Sequence, residues 1–378
     1  MRAWCALLFC ACGPIAGDVR TEALVRGADG VHRVEEVTLH RVKSLATLEG
    51  ERMTFAAGAE LKIEFDLSRG CALNGLDCDA KVSELREVVI GERRTSVRPR
   101  FALNGGVYRP LDFDTLNLVT AYRSIDEAQE FFAALAVDPS ATAGPAPVYY
   151  YPNADSLEKF NLSATDNAAY FQLVDGFLVL PMEHLEKVPF SMNKGVVFHE
   201  YFHRVFALRV FGERALRAFL AADLPGFQSI LRLRAVNEGL ADFFGAIGAD
   251  DPDFIAASLS QRVADTRNPA FTHTMQADWL DASGPAAGDQ YDPYPPGSCF
   301  ASFLWQAQAS VGRDPTIAAW FLADQAIAAK VETRLRDVTF PFVVNAIVLG
   351  FAGGDRAAVC GIAKDVFSVF ESELSACP

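Results

Sequence analysis

In the run ELKIEFDL, the apolar Leu61, Ile63, Phe65 and Leu67 alternate with the polar Lys62, Glu64 and Asp66, the two-residue period of a strand with one buried face. The surrounding region, Asp18 to Arg100, reads as β-rich. From Asp112 the period changes. Leu116, Val119, Tyr122, Ile125, Phe131, Phe132 and Leu135 recur at helical spacing, and Pro139 lies beyond the stop. Two short strands, PVYYYP and GFLVLP, follow on either side of the polar stretch NLSATDN. After Gly195 the pattern is almost wholly helical, in AVNEGLADFFGAI, PGSCFASFLWQAQASV, PTIAAWFLADQAIAAKV and FPFVVNAIVLGF, punctuated by Gly and Pro. The stretch Ala282 to Gly297 is rich in Pro, Gly and Asp and reads as a long loop. The expected fold class is α+β. A β-rich region spans residues 18–100, a mixed strand-and-helix lobe spans 101–211, and a mainly helical lobe spans 212–378. A ligand site is expected in the cleft between the last two.

One helical run breaks the usual rule that ionisable groups take the wet face. GVVFHEYFHRVF sets His199, Glu200 and His203 among Val196, Val197, Phe198, Phe202, Val205 and Phe206. Residues four apart share a helix face, so His199 and His203 can offer two imidazoles to one ion, with Glu200 beside them. This is the HExxH arrangement, in which two histidines bind zinc and the glutamate handles a water proton. Only six histidines occur in the whole chain. A catalytic zinc takes three protein ligands and keeps a position open. AVNEGLADFFGAI supplies the third: Glu238 and Asp242 lie four apart, and such a carboxylate pair repels unless something cationic separates it. A metal beside Glu238 and an imidazole N–H beside Asp242 would do so. The plain alternative is a short helix capped by Asn237 with acids in its first turn, but Asp242 lies deeper than a cap requires.

The chain has 378 residues, 51% of them hydrophobic, enough for about two domains and a sizeable core. A formal charge of -14 argues against a nucleic-acid partner, whose phosphates call for a basic face. No interior run approaches the ~20 apolar residues needed to span a bilayer. The N-terminus differs: MRAWCALLFCACGPIAG has Arg2, an apolar run from Ala3 to Ala11 and then small residues, a secretory signal over residues 1–17. The segment Phe9 to Cys12 resembles a lipoprotein box, with cleavage before a lipidated Cys12. Cleavage near Ala16 is the alternative. The expected location is therefore the periplasm or cell surface, with anchoring through Cys12, or else the medium. Export permits disulfides, and Cys71–Cys78 and Cys360–Cys377 are expected as local pairs, with Cys299 a buried thiol.

HEYFH followed by NEGLADFFG resembles the gluzincin metallopeptidases, the thermolysin-like and fungalysin-like group, in which HExxH is followed on a second helix by ExxxD. The resemblance implies Zn2+ held by His199, His203 and Glu238, with Glu200 as general base and Asp242 orienting His199. Zinc would activate a water, and a peptide or protein would be the substrate. NAAYF resembles the family's edge strand, which implies that Asn167 and Ala168 pair with extended peptide. YPPGSCFASFLW resembles the segment that carries the family's transition-state histidine, and Tyr294 takes that place here. Between His203 and Glu238 lie 34 residues, so a helical insertion at about Gly212 to Arg234 is expected to loop out. An aminopeptidase of the same zinc class, and a non-catalytic zinc-containing binding or scaffold protein, are the alternatives.

Overall fold

A computed structural model describes residues 17–65, 85–91, 97–137, 145–152, 167–172, 175–180, 187–212, 224–280 and 291–377. The signal segment with Cys12 and the expected Cys71–Cys78 pair fall outside these residues. The fold is mixed α+β, with strands concentrated in the N-terminal part and helices in the C-terminal part. Its packing divides the chain into two units, Met1–Lys62 with Val89–Val197, and Ile63–Val88 with Phe198–Pro378.

In the first unit β1 (Gly17–Arg26) and β2 (His32–Ser44) form an antiparallel hairpin, followed by β3 (Glu49–Gly50) and β4 (Met53–Ala57). The alternating ELKIEF run is β5 (Glu60–Phe65), and β6 (Leu85–Gly91) comes after it. Next come β7 (Phe101–Asn104), β8 (Val107–Pro110), the helix α1 (Phe113–Ala134), β9 (Ala146–Tyr150), β10 (Ala168–Phe171) and β11 (Gly176–Val179). One sheet has the order β3-β2-β1-β8-β7 and another β10-β11-β9-β4.

The helix α1 starts where the period changes, because Asp112 caps it: its Oδ1 accepts the Thr115 N–H at 2.8 Å. Leu118, Val119, Tyr122, Ile125 and Phe132 bury its apolar face. Its polar side chains are buried too, and they serve the strands beside it. Thr120 Oγ1 accepts the Leu24 N–H, the Tyr122 hydroxyl donates to the His40 carbonyl, and Gln129 donates to the Arg52 carbonyl. These buried side chains thereby find partners on the neighbouring backbone, as buried polar groups must.

The second unit takes in parts of β5 and β6, and from Phe198 onward its described elements are helical. The helix α2 (Lys194–Phe206) carries the HExxH run and enters this unit at Phe198. A π-helical turn, Ala207–Phe211, continues it as far as Gly212. After it come α3 (Leu224–Ala249), α4 (Gln261–Arg267), α5 (Tyr294–Val311), α6 (Arg313–Arg334), α7 (Phe340–Gly350) and α8 (Gly353–Val366). The greasy side of α2 stacks into this set: Phe202 lies on Phe244 with ring centroids 4.5 Å apart, and Phe206 lies parallel to Trp320 at 6.0 Å. At the C-terminal end Phe300 and Phe303 of α5 meet Phe367, and Cys360 is bonded to Cys377. Cys299 is a free, buried thiol whose pKa burial pushes up to about 12.

Two expectations are corrected here. Of the insertion expected at about Gly212 to Arg234, residues 213–223 lie outside the described residues, and residues 224–234 do not loop out: they are the first part of the same 26-residue helix that bears Glu238 and Asp242. Asn237 therefore lies in mid-helix and caps nothing. Nor does the loop run to Gly297, because α5 begins at Tyr294, with prolines in its first turn, where a missing N–H costs no helical hydrogen bond.

The contact between α3 and α5 is unusually close. A Cβ on Gly239 would lie 2.0 Å from the carbonyl oxygen of Gly297, and one on Gly297 would lie 2.8 Å from that of Ala235. Both glycines are needed because the two backbones touch. Gly239→Ala is expected to cost at least ~2 kcal/mol through overpacking. The control is Gly361→Ala on α8, where a Cβ would meet nothing within 4 Å and the change should be neutral or stabilising by up to ~1 kcal/mol. Urea denaturation of both variants without metal checks this, and equal stabilities would contradict the backbone contact.

Candidate metal centre

The second unit brings together His199 and His203 of α2 with Glu238 of α3. Their imidazole Nε2 atoms lie 3.0 Å apart, and Glu238 Oε2 lies 3.5 Å from that of His199 and 3.7 Å from that of His203. Three donors on a tetrahedral ion with bonds of ~2.0–2.1 Å would stand roughly 3.3 Å from one another, so the triangle has the size such an ion requires. Glu200 is the fourth member, its Oε1 3.9 Å from His199 Nε2, and His199, Glu200 and His203 together form a group able to hold a metal.

The charges are built for a cation. Glu238 Oε2 is buried and has no hydrogen-bond partner among the described residues. Burial alone would raise the Glu238 pKa, yet the imidazoles of His203 and His199 hold it well below the usual carboxylate range. Burial likewise works to lower the His199 pKa, but Asp242 and Glu238 overrule it and push the value up to about 9. Both shifts report one demand, positive charge between these side chains. An orphaned buried carboxylate oxygen beside two convergent imidazole nitrogens fits zinc in ligand type and number.

Asp242 lies one turn beyond Glu238 and is 1% exposed. Its Oδ1 is 3.0 Å from His199 Nδ1, within hydrogen-bond reach though not aligned for an ideal bond. Nothing in the sequence reading pointed to its second partner. Arg267, the last residue of α4, grips the Asp242 carboxylate with two donors, Nε to Oδ2 at 3.0 Å and Nη2 to Oδ1 at 2.6 Å. The same Nη2 is 4.0 Å from Glu238 Oε2. The run QRVADTRNP carries no motif, and the pairing depends on how α4 folds back, so no local signal announced it. Asp242 stays ionised, its pKa lowered by Arg267 and His199 against the effect of burial.

Tyr294 stands at the mouth of this cluster. It is 41% exposed, and the Arg267 guanidinium lies 4.4 Å from its ring centroid. The Glu238 carboxylate, foremost, raises the phenol's pKa, so the hydroxyl keeps its proton. The close crossing of Gly239 and Gly297 holds Tyr294 and Glu238 in fixed relation. The expected substrate strand belongs to the other unit: Ala168 starts β10, an outer strand of its sheet, and the Asn167 side chain accepts the Ala168 N–H at 2.9 Å. His273 is part-buried, with its Nε2 3.1 Å from the Asn268 carbonyl oxygen.

No protein-family model and no curated protein matches this chain. Among solved structures, the precursor of protealysin, a metalloproteinase from Serratia proteamaculans, is similar with a TM-score of 0.45 and 13% identity, covering 85% of this chain and 91% of that one.

Proposed function

We propose that this chain is a zinc metallopeptidase of the gluzincin type that hydrolyses internal peptide bonds. The observation that carries the reading is the triangle of His199, His203 and Glu238 donors at 3.0–3.7 Å with Glu200 beside it. His199, His203 and Glu238 would hold the ion. When bound, zinc supplies Lewis acidity, polarising a carbonyl and making water acidic enough to lose a proton near neutral pH.

Every other part belongs to the chain. Glu200, on the same turn as His199, accepts the water proton and carries it to the leaving amine. Asp242 orients the His199 ring through Nδ1, and Arg267 in turn fixes the Asp242 carboxylate, so the ring has one orientation before any ligand arrives. Tyr294 keeps its phenolic proton and donates it as a hydrogen bond to the oxyanion that develops on the substrate carbonyl. Asn167 and Ala168 pair with an extended peptide through the open side of β10. Export, with lipidation at Cys12 and anchoring at a membrane, is part of the same proposal and is supported by the N-terminal sequence alone.

Three measurements test the assignment. Glu200→Gln should keep the fold and the zinc, measured by metal analysis, yet lose peptide hydrolysis in a quenched-peptide assay. Turnover at the wild-type rate would remove Glu200 as the base, whereas absence of hydrolysis by the zinc-loaded wild type itself would leave a zinc-containing binding protein.

Asp242→Ala should weaken zinc affinity or activity by roughly 10–100-fold, as loss of a ligand's support does. Glu238→Ala should be worse, since a ligand itself is gone. Competition with a chromogenic chelator ranks the two, and the reverse order would exchange their roles.

Tyr294→Phe should lower kcat by ~10²-fold with KM nearly unchanged, the mark of a donor used only in the transition state. A normal kcat would leave oxyanion stabilisation to other groups.

A further inference from the structure

Arg267 ends α4, a helix of seven residues that is too short to be stable by itself. Its guanidinium nevertheless meets two groups at once, the Asp242 carboxylate and the face of the Tyr294 ring. Something outside α4 has to set the backbone from which it reaches. The last four carbonyls of a helix find no donor within it, and that of Thr266, immediately before Arg267, is among them. Ser298 of α5 supplies the donor: its buried Oγ donates to the Thr266 carbonyl at 2.8 Å. The same Oγ lies 3.0 Å from the Tyr294 carbonyl, one turn back on α5, so one hydroxyl joins the backbone beside Arg267 to the backbone of Tyr294. Ser302 repeats the device a turn further on. It too is buried, and its Oγ donates to the Phe271 carbonyl at 2.8 Å and accepts the His273 N–H at 3.4 Å. Two serines four apart on one face of α5 thus tie down the chain on both sides of Arg267. Burying a hydroxyl costs free energy unless it is bonded, and these bonds go to the segment that carries the arginine.

We propose that Ser298 is a positioning residue, whose hydroxyl locks the end of α4 onto α5 and so aims Arg267 at Asp242 and Tyr294 together. The inference rests on the peptidase reading and deepens it. Arg267 grips Asp242 with two donors in a fixed fork, a geometry that tolerates little displacement of the backbone behind it. Asp242 in turn stands 3.0 Å from His199 Nδ1, so a shift at Thr266 reaches the orientation of a proposed zinc ligand. The second path is shorter. The Arg267 guanidinium lies 4.4 Å from the Tyr294 ring centroid, so the same shift reaches the proposed oxyanion donor. Ser298 acts on both without being assigned a contact to ion or substrate.

The test compares Ser298→Ala with Thr316→Val in the full chain. Thr316 of α6 is also buried, and its hydroxyl donates to the Gly312 carbonyl at 2.9 Å, so both changes remove one buried hydrogen bond. Zinc affinity is read by competition with a chromogenic chelator, and kcat and KM are read on a quenched peptide at saturating zinc. Ser298→Ala should weaken zinc binding and lower kcat by ~5-fold each, the size of one lost hydrogen bond, with KM nearly unchanged. Thr316→Val should change neither. Arg267→Lys separates positioning from packing: an ammonium on a flexible stem does not need the fixed backbone that a two-donor fork needs. Adding Ser298→Ala to Arg267→Lys should therefore cause no further loss, whereas effects on stability alone would add. Wild-type values in Ser298→Ala, equal losses in Ser298→Ala and Thr316→Val, or full additivity with Arg267→Lys overturns the proposal. A wild type that binds zinc yet hydrolyses no peptide overturns the peptidase reading, while the zinc affinities still uphold or overturn the action of Ser298 through Asp242. A wild type that binds no zinc overturns both.

Discussion

Two carboxylates four residues apart in the middle of a buried helix must be compensated, and much of the second unit is arranged to do so. An unpaired carboxylate in such a place costs several kcal/mol, so each needs a cation or a set of hydrogen bonds. Asp242 is served twice, by the two-donor grip of Arg267 and by His199. Glu238 is served only in part. Its Oε2 looks at two imidazoles from 3.5 and 3.7 Å, and Arg267 is 4.0 Å away. The remaining demand for positive charge falls at the centre of the His199, His203 and Glu238 triangle. That is why a helix as apolar as GVVFHEYFHRVF tolerates its polar residues.

Such a cluster works only if its members cannot drift. The histidines are held from behind by aromatic stacking of Phe202 and Phe206 on Phe244 and Trp320, and α2 is extended by a π turn whose Arg209 grips the buried Asp324 of α6. Glu238 and Tyr294 are held by a different device. At Gly239 and Gly297 the two helices meet with no side chain between them, which removes the rotamer freedom a larger residue would bring. Stacking on Arg267 then sets the Tyr294 ring, and the same guanidinium sets Asp242. One arginine thereby couples the group proposed to orient a ligand with the group proposed to meet the oxyanion.

What could be read from the sequence was whatever repeats within a turn or two. The spacings of His199 to His203 and of Glu238 to Asp242 announce a shared face, and the change of period at Asp112 announces the start of a helix. The alternation in ELKIEF announces a strand. What could not be read depends on tertiary return. Arg267 sits in a run without a motif and acquires its partners only when α4 folds back onto α3. The start of α5 was hidden for another reason: prolines at Pro295 and Pro296 read as loop, yet the first turn of a helix accepts them. The start of α3 at Leu224 was hidden because 34 residues between ligands suggest an insertion reaching to Arg234, while residues 224–234 already belong to the helix.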